Sequence, residues 1–309
     1  MSRSIVVLGG NGFVGRHVCA AFDGAGDRVV RVSRRAAPGS GVPGRAVPLD
    51  LTGIDVARLA TVLGTADTVV NAAGAVWRAS ERDMWRTNAE LVRNVLAALA
   101  TLPSPPRLVH LGTVHEYGPA PAGGAIPEEH PPVPSTPYGA SKLRGTELVR
   151  AAGLDAVVLR VANVYGPGSP AASLLGGVAA RLAAAAGPVR LRMGRLDAER
   201  DYVDVRDVAA AVVAAAGRAE APGLTVNVGR GAPVPVRALV HRLAELSGAA
   251  VDVVEDGPAV DRAGARDVLY LDTARARRVL GWRPWLGVDA SLRDMLAAAG
   301  VRDLASRDT

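Results

Sequence analysis

Cysteine is nearly absent from this 309-residue sequence, which contains Cys19 alone. A single cysteine excludes an intrachain disulfide framework and leaves no cysteine cluster for a metal site. Chains without disulfides are typical of reducing compartments. We therefore expect a cytoplasmic protein that holds no metal.

Long apolar runs are also absent. Runs such as residues 208–216 fall far short of the roughly 20 residues that a membrane-spanning helix needs. The amino-terminal segment MSRSIVVLGG reaches glycine after four apolar residues, whereas a secretory signal has an apolar stretch of about 7–15 residues. We therefore expect neither export nor a membrane partner.

Aromatic side chains make up only 4% of the chain, although its net charge is +6. Positive charge attracts nucleic acid, but here the basic residues are dispersed and few rings are present for bases to stack on. We therefore expect no nucleic-acid partner. The charge suits a small polyanion equally well, such as a phosphorylated cofactor or substrate.

Lysine is as scarce as cysteine, since Lys142 is the only lysine among 36 basic residues and the other 35 are arginines. A chain rich in alanine, arginine, glycine and valine is typical of a GC-rich genome, which encodes an indifferent basic position as arginine. Lysine and arginine are interchangeable only at solvated sites. The exception at Lys142 therefore indicates a position that needs an ammonium group.

The chain has instead a regular alternation of short apolar runs with helical patterns. The runs are rich in valine and leucine, as expected for strands covered on both faces. Strands and helices in strict rotation predict an α/β protein with a doubly wound parallel sheet of Rossmann type. We predict strands at residues 4–8, 28–33, 46–49, 68–71, 107–112 and 156–161, and helices at 13–22, 56–63, 84–100 and 138–151.

After Gly166 the pattern changes and indicates a smaller carboxy-terminal lobe. We expect a first domain at residues 1–166, joined by residues 201–228, and a second lobe at residues 167–309. Predicted helices are 172–186, 205–216 and 236–246, with strands near Arg190 and at 225–228 and 251–254. Two stretches rich in proline and glycine, at 36–44 and 118–137, are predicted loops.

Three glycines follow the first predicted strand, in IVVLGGNGFVG. Gly9, Gly12 and Gly15 stand where this strand turns into the first helix. Glycine tightens such a turn and lets the backbone approach a pyrophosphate at the positive end of the helix. Glycines also occur in ordinary turns, so the glycines alone do not predict a cofactor site. Their position between the first strand and the first helix predicts a dinucleotide site, which includes Phe13 and Val14.

The end of the second strand distinguishes NAD from NADP. NAD sites place a carboxylate on the adenosine ribose, whereas the 2′-phosphate of NADP needs cations there. The strand ends in Ser33, Arg34 and Arg35, so we expect NADPH rather than NAD. Two solvated arginines are the alternative interpretation. Asp50, followed by Leu51, is a candidate partner for the adenine.

Tyr138 and Lys142 lie four residues apart in STPYGASKLRG, where Thr136 can cap a helix and Pro137 suits its first position. Both side chains then share one helical face. The helix amino end and an ammonium about 4 Å away are expected to lower the pKa of the phenol from about 10 towards neutrality. A phenol with such a pKa can donate or accept a proton. An ordinary amphipathic surface is the alternative.

Thr113 ends the fifth predicted strand, at the sheet edge where doubly wound folds bind ligands.

The glycine motif, Thr113 and the Tyr138–Lys142 pair together resemble the extended short-chain dehydrogenase/reductases, in the branch of nucleotide-sugar epimerases, dehydratases and ketoreductases. Thr113 matches the family Ser/Thr, and Tyr138 with Lys142 matches its YxxxK pair. Further matches cover nearly the whole chain: NAAG at 71–74, TNAELVRNVL at 87–96, LRVANVYGPG at 159–168, RDYVDVRDVA at 200–209 and LGWRP at 280–284.

The resemblance implies that the first domain, residues 1–166, binds NADP and that the lobe at residues 167–309 binds the sugar nucleotide. It also implies further site residues. Thr113, Tyr138 and Lys142 would be catalytic, and the last two would also contact the cofactor. Additional cofactor contacts are implied for Ala72, Ala73, Gly74, Asn88 and Val164. Contacts to a nucleotide-diphosphate sugar are implied for Thr113, His115, Asn163, Arg192, Arg200 and Arg262. The resemblance also allows a homodimer.

The residues after Thr113 distinguish the reactions of the family. Dehydratases resemble one another in an acid pair directly after this threonine, but here Val114 and His115 occupy both places. Glu116 comes one residue late, which redirects its side chain. A family epimerase recycles a tightly bound NAD, which the arginines after Ser33 disfavour.

We therefore expect NADPH-dependent reduction of an NDP-4-keto-6-deoxyhexose, as in deoxysugar biosynthesis, by analogy with the family. An NDP-sugar 4-epimerase with bound NAD is the alternative among enzymes. A non-catalytic NADP-sensing protein is the alternative from another class, although such a protein has no use for a tuned phenol.

Overall fold

The computed structural model describes residues 2–35, 41–77, 79–119, 124–259 and 268–301. Its first half contains strands β1 (Ser4–Leu8), β2 (Arg28–Ser33), β3 (Arg45–Pro48), β4 (Thr68–Asn71), β5 (Arg107–Thr113), β6 (Ala156–Val161) and β7 (Asn163–Tyr165). The helices are α1 (Phe13–Gly24), α2 (Val56–Leu63), α3 (Glu81–Trp85), α4 (Leu91–Ala100) and α5 (Pro137–Ala151). A π-helical turn, Arg86–Glu90, joins α3 to α4, and a single 3₁₀ turn, Val114–Glu116, follows β5.

The second half contains strands β8 (Val189–Arg195), β9 (Glu199–Arg200), β10 (Tyr202–Asp204), β11 (Thr225–Val228), β12 (Val234–Pro235), β13 (Val251–Ala259) and β14 (Val268–Leu269). Its helices are α6 (Leu174–Ala184), α7 (Val205–Gly217), α8 (Val236–Leu246) and α9 (Val288–Ala299), with a second π-helical turn at Ala276–Leu280. The strands of two or three residues are not predicted, since so few residues carry no periodicity. Helix α9 is not among the predicted helices either.

The central sheet has seven parallel strands in the order β11-β6-β5-β4-β1-β2-β3. β1 pairs with β2 on one side and with β4 on the other, so the strand order reverses beside it. Ligands of doubly wound sheets bind at the carboxyl ends of the strands at such a reversal. The predicted fold class, a doubly wound parallel α/β sheet, is confirmed. β11 completes the sheet by pairing with β6.

Both faces of the sheet are covered, as the continuous apolar strands predict. Ile5 and Val7 of β1 belong to one buried cluster, which includes side chains of α1 and α7, whereas Val6 and Leu8 belong to a second, which includes side chains of α2 and α4. A third buried cluster joins α6, α8 and α9 in the second half of the chain. Within the described ranges, no helix is long and apolar enough to cross a bilayer.

The predicted loop at 118–137 is held in place where the structure describes it. The amide of Ile126 donates to the carbonyl of Tyr270 at 2.9 Å, and the side-chain amide of Asn227 donates to the Ile126 carbonyl at 2.9 Å. The loop is therefore attached to the segment around β14. Of the other predicted loop, residues 36–40 lie outside the described residues.

Candidate active site

The glycine-rich turn lies at the carboxyl end of β1 and leads into α1. Gly12 precedes the helix, where no described side chain forms a cap and the first turn carries no acidic residue. Uncapped amides at a helix amino end attract an anion such as a pyrophosphate. Gly9 has a φ of +78°, and a Cβ there would lie 2.8 Å from the backbone of Ala73. The turn therefore passes the loop after β4 without room for a side chain.

Gly15 has a different role from Gly9 and Gly12. A Cβ at this position would lie 2.1 Å from the Gly9 carbonyl oxygen, so α1 packs against its own turn only with glycine there. Gly15 lines neither of the two clefts described below. Its contribution is close packing that shapes the turn.

A long cleft, which we call the adenosine cleft, runs from the glycine turn past the end of β2. Asp50 accepts hydrogen bonds from the amide and hydroxyl of Thr52, which lower the pKa of its carboxyl, and Arg34 and Arg86 lower it further. The cleft thus combines cations with an ionised acceptor, which suits the adenosine end of a dinucleotide. The predicted residues that line it are Gly9, Gly12, Phe13, Ser33, Arg34, Arg35, Asp50, Leu51, Ala72, Ala73 and Gly74.

Asn11 links the two walls of the adenosine cleft. Its Nδ2 donates to the Ser33 hydroxyl at 2.7 Å and to the Arg35 carbonyl at 2.9 Å, while its Oδ1 accepts from the Arg31 guanidinium at 2.9 Å. The amide therefore ties the glycine turn to the end of β2. The sequence motifs do not identify Asn11, and its place between two motif glycines is the one signal for it.

A cavity of about 390 Å³, which we call the reaction cavity, adjoins the adenosine cleft at the carboxyl ends of β5 and β6. Its size is within the range of small-molecule sites. The structure brings together in it most of the residues predicted for the reaction. The predicted residues that line it are Gly12, Phe13, Val14, Ala72, Ala73, Gly74, Thr113, Tyr138, Lys142, Asn163 and Val164.

α5 places the tyrosine and the lysine in this cavity. The Thr136 hydroxyl accepts the amide of Gly139 at 3.1 Å, and Pro137 occupies the first turn, as predicted. Tyr138 therefore lies in the first turn of the helix and Lys142 one turn later. A Cβ at Gly139 would lie 2.3 Å from the carbonyl oxygen of His115, so this glycine lets α5 pack tightly against the turn after β5.

The phenol of Tyr138 does not have the lowered pKa that the sequence predicts. Burial raises the pKa of Tyr138 to about 12, a hydrogen bond with the Thr113 hydroxyl lowers it, and the charge of Glu116 raises it further. Removing the phenol from water disfavours its anion, and the hydrogen bond with Thr113 does not offset this effect. The predicted direction is therefore wrong, and the phenol is protonated at neutral pH.

Lys142 is buried, and its ammonium donates to the carbonyl oxygen of Leu111. Burial lowers the pKa of Lys142 to about 8, and the charge of Glu116 acts in the opposite direction. Next to it, the His110 ring is fully buried and its pKa is well below the ordinary value, mainly because of that burial. The chain's single lysine is thus an ammonium whose charge is sensitive to its surroundings.

His115 and Glu116 lie outside the lining of the reaction cavity. The His115 ring meets the Tyr138 ring edge-on, with 5.9 Å between the ring centroids. Glu116 is fully buried and forms an ion pair with Arg160, with 2.8 Å between Oε2 and Nε. The delayed position of Glu116 therefore turns its carboxylate into the protein, away from the cavity.

Asn88 lies in the π-helical turn and lines neither cleft. Its Oδ1 accepts the amide of Ala75 at 2.9 Å, and its Nδ2 donates to the Ala75 carbonyl at 2.9 Å and to the Ser141 hydroxyl at 3.0 Å. The side chain therefore joins the loop after β4 to α5. Contrary to the direct contact expected, any effect of Asn88 on a cofactor is indirect in this arrangement.

Of the three predicted arginines, the two that the structure describes, Arg192 and Arg200, do not line the reaction cavity. Arg192 lies on β8, where its Nε donates to Asp256 at 2.9 Å and 73% of the side chain is exposed. Arg200 is buried in β9 and donates to the carbonyl of Glu199 at 3.0 Å. Arg262 lies outside the described residues. Of the residues predicted for the sugar nucleotide, Thr113 and Asn163 line the cavity.

Several lining residues are not identified from the sequence. Trp77 lies on the loop after β4 and borders both clefts, and Arg86 borders the adenosine cleft. Tyr165 and Tyr202 meet edge-on with 5.8 Å between ring centroids at the far side of the reaction cavity. The two tyrosines fall within the matched family motifs, which is the signal for them, whereas no pattern marks Trp77.

The reaction cavity contains few groups able to transfer a proton. Among its described lining residues there is no aspartate, glutamate or histidine, and the titratable ones are Lys142 and three tyrosines, Tyr138, Tyr165 and Tyr202. Within the described ranges, no group of three or more His, Cys, Asp or Glu side chains is arranged to hold a metal. Tyr138, which contacts Thr113, is therefore the best placed proton donor.

A family model described as the NAD dependent epimerase/dehydratase family matches residues 5–229. The chain therefore belongs to this family. The predicted membership of the extended short-chain dehydrogenase/reductases, in their nucleotide-sugar branch, is thereby confirmed.

Three similar proteins cover nearly the whole chain. The chain is 41% identical to dTDP-6-deoxy-L-talose 4-dehydrogenase (NAD(P)(+)) of Kitasatospora kifunensis, over 97% of each protein. It is 31% identical to a UDP-glucose 4-epimerase of Azospirillum brasilense, over 92% of this chain and 88% of that one. The solved structure of MoeE5 in complex with UDP-glucuronic acid and NAD matches with a TM-score of 0.83 and 26% identity, covering 96% of this chain and 98% of that one.

Proposed function

We propose that the protein is an NADPH-dependent oxidoreductase that reduces the 4-keto group of an NDP-4-keto-6-deoxyhexose. The observation that carries this proposal is the reaction cavity, in which Thr113, Tyr138 and Lys142 meet without a carboxylate among the described lining residues. A protonated phenol beside a threonine hydroxyl is suited to proton donation to a carbonyl oxygen. The 41% identical relative is named as a 4-dehydrogenase of a 6-deoxy sugar, and its reaction run backwards is this reduction.

In the proposed mechanism, NADPH supplies the hydride to C4 when it is bound. Thr113 and Tyr138 hydrogen-bond the C4 oxygen, and Tyr138 gives it the phenolic proton, so that the ketone becomes an alcohol. The tyrosinate left behind regains a proton from solvent. The raised pKa of Tyr138, about 12, keeps this proton in place at neutral pH. Lys142 stabilises the transient negative charge on the phenol.

Dehydration is a poor fit to the same cavity. Elimination of water from a hexose needs a base for the C5 proton and an acid for the leaving hydroxyl. Glu116, the one carboxylate near Thr113 in sequence, is fully buried and paired with Arg160. Proton transfer at a single oxygen therefore matches the available groups better than elimination does.

We further propose that the adenosine cleft prefers NADPH. Its predicted rim carries Arg34 and Arg35 with Ser33 in place of a carboxylate, and these residues line the cleft. The turn before α1 has uncapped amides for the pyrophosphate. The name of the 41% identical relative includes both forms, NAD(P)(+), so the preference needs a direct test in this chain.

We also propose that the second half of the chain, residues 167–309 without 201–228, binds the nucleotide part of the substrate. Asn163 lines the reaction cavity where this half begins, and Ser173, Leu174 and Leu175 at the start of α6 line it from the other side. The MoeE5 structure, which matches over 96% of this chain, holds UDP-glucuronic acid. A nucleotide-diphosphate sugar is therefore the substrate class that we assign.

Epimerisation of an NDP-sugar at C4 is the second candidate function. It uses the same threonine, tyrosine and lysine, and a 31% identical relative is named UDP-glucose 4-epimerase. The two functions differ in the fate of the cofactor, because a reductase consumes NADPH and an epimerase recycles NAD.

The experiment supplies purified protein with NADPH and either a dTDP-4-keto-6-deoxyhexose or dTDP-glucose. We expect stoichiometric loss of nicotinamide absorbance with the keto sugar, a new sugar nucleotide by chromatography, and neither change with dTDP-glucose. Tyr138→Phe serves as the control for a contaminating reductase. Interconversion of sugar nucleotides without loss of NADPH would establish the epimerase, and a 4-keto product from dTDP-glucose would establish a dehydratase.

A further inference from the structure

Glu116 is a buried carboxylate that joins three elements beneath the reaction cavity. It accepts the amide of Thr113 at 2.9 Å, the hydroxyl of Thr146 at 3.1 Å and the Nε of Arg160 at 2.8 Å. These donors belong to the end of β5, to α5 and to β6. The side chain is 0% exposed and lines neither cleft, so it has no path to a substrate.

The backbone leaves room for this carboxylate. A Cβ at Gly112 would lie 2.6 Å from Glu116 Oε1, so the close approach requires glycine at that position. Thr113 precedes the 3₁₀ turn, and its backbone amide and the Glu116 side chain form one half of a capping box. Glu116 therefore holds the Thr113 backbone at the end of β5, and the Thr113 hydroxyl is hydrogen-bonded with Tyr138 there.

Glu116 lies between two positively charged side chains. Arg160 faces it from β6 and also lies over the Tyr117 ring, 4.4 Å from the ring centroid. Lys142 and Tyr138 face it from α5, and its charge acts on both. Two buried cations thus surround one buried anion. Charges in such a region interact strongly, and removing one partner leaves the others uncompensated.

The other titratable groups near Glu116 do not balance the charges of Lys142 and Arg160. His110 on β5 is fully buried, which holds its pKa well below the ordinary value and keeps the ring neutral. The Tyr117 hydroxyl donates to Asn227 at 2.8 Å, and burial raises the pKa of this phenol. Glu128, beyond Tyr117, lies within 3.8 Å of Arg275. Glu116 is therefore the anion that balances the cations on the inner side of the cavity.

We propose that Glu116 is a positioning residue for the reaction, which holds Thr113 against Tyr138 and supplies the buried negative charge that balances Lys142 and Arg160. The inference rests on the proposed function for its catalytic consequence. Removing the carboxylate charge should lower the pKa of both Lys142 and Tyr138, because an uncompensated Arg160 disfavours the ammonium and favours the phenolate.

The test uses the full-length protein and the single lysine of the chain. With lysine labelled by ¹³C at the ε-carbon, the NMR spectrum contains one lysine signal, that of Lys142, whose pH titration gives its pKa directly without any turnover. We expect Glu116→Gln to move this titration to lower pH by about one unit. The alkaline limb of kcat/KM for NADPH-dependent reduction should move with it.

Glu116→Asp separates charge from position and serves if the glutamine variant does not fold. It keeps the negative charge but withdraws it by one methylene, so the lysine titration should stay near that of the wild type while kcat falls. Asp27→Asn is the matched control, because Asp27 is also a buried carboxylate paired with an arginine, Arg3, far from the cavity. It should reduce stability without moving the titration.

The outcomes distinguish the two proposals. A Glu116→Gln variant with an unmoved lysine titration and an unmoved alkaline limb, but a lower melting temperature, would overturn the positioning role and leave Glu116 as a structural ion pair. An equal shift in Asp27→Asn would overturn it as well. If the wild type reduces no keto sugar while the lysine titration still shifts in Glu116→Gln, the proposed function fails and the electrostatic role of Glu116 stands.

Discussion

The two ends of the binding cleft differ in burial and therefore in how their charges act. At the reaction end, Thr113 and Lys142 are 6% and 5% exposed, and burial shifts the pKa values of Tyr138 and Lys142. At the adenosine end, Arg34 and Arg35 are exposed. Buried polar groups depend strongly on each neighbour, whereas exposed charges are screened by water and salt.

This difference predicts two kinds of response to mutation. A change at the reaction end should alter the chemistry itself, because each group there depends on the charge and hydrogen bonds of the next. A change at the adenosine end should alter the choice of cofactor by smaller steps and leave the chemical step intact.

Removal of the Tyr138 hydroxyl should have the largest effect. Tyr138→Phe deletes the proposed proton donor, and kcat for NADPH-dependent reduction should fall by about 10²–10⁴-fold. NADPH binding, followed by fluorescence titration, should change little, because the phenyl ring still fills its place. Near-normal turnover in this variant would show that another group supplies the proton.

The pH dependence of the reduction should reflect the ionisation of the buried Lys142. The pKa of Lys142 is lowered to about 8, so its ammonium is charged below that pH and neutral above it. Tyr138, with a pKa raised to about 12, keeps its proton throughout this range. We therefore expect kcat/KM for reduction, which reports groups of the free enzyme, to be constant on the acid side and to fall as the pH rises through about 8. A profile that is flat to pH 10 would contradict the role of the ammonium.

The adenosine end should respond more weakly. Arg34→Ala should raise the KM for NADPH by about tenfold, as expected for the loss of one charge-assisted contact in a solvated place, and leave that for NADH unchanged. Ser33→Asp should act in the same direction by adding a carboxylate beside the 2′-phosphate. Steady-state kinetics with both cofactors measure the effect. An equal rise in the KM for NADH would show that Arg34 does not bind the 2′-phosphate.

Arg192 should have the smallest effect of the tested residues, although its sequence context suggests a substrate contact. Its side chain is 73% exposed and paired with Asp256 on β8, away from the lining of the reaction cavity. Arg192→Ala should therefore change the KM for the sugar nucleotide by less than about twofold. It is also the arginine control for Arg34→Ala. A tenfold increase in this KM would place Arg192 at the substrate after all.

Much of the fold could be predicted because the strands of the central sheet are buried on both faces. Continuous valine and leucine at residues 4–8, 68–71 and 156–161 identify β1, β4 and β6 with the observed bounds. The π-helical turn Arg86–Glu90 could not be predicted, since the apolar period continues through it. The short strands β9 and β12 pair with one another only because the tertiary fold brings them together.

The site could be predicted where a residue's role follows from its position within a single strand or helix. A threonine at the end of β5 and a YxxxK pair at the start of a capped helix must meet at one sheet edge, and they do. Asn11 and Glu116 could not be assigned in this way. Their roles depend on Ser33, Arg31 and Arg160, which neighbouring strands supply from distant parts of the sequence.

The succession of strands and helices along the chain, the glycine turn, and the residues that reach the carboxyl edge of the sheet follow from the sequence without a structure. Local periodicity, capping and strand ends are properties of neighbouring residues, so they can be read without a structure. How far each group is removed from water depends instead on the packing of distant segments. Burial raises the pKa of Tyr138 where spacing predicted that it would fall, and it places Glu116 in an ion pair rather than in the cavity. Desolvation and ion pairing depend on all the chain segments that pack around a group, and no single segment contains that information.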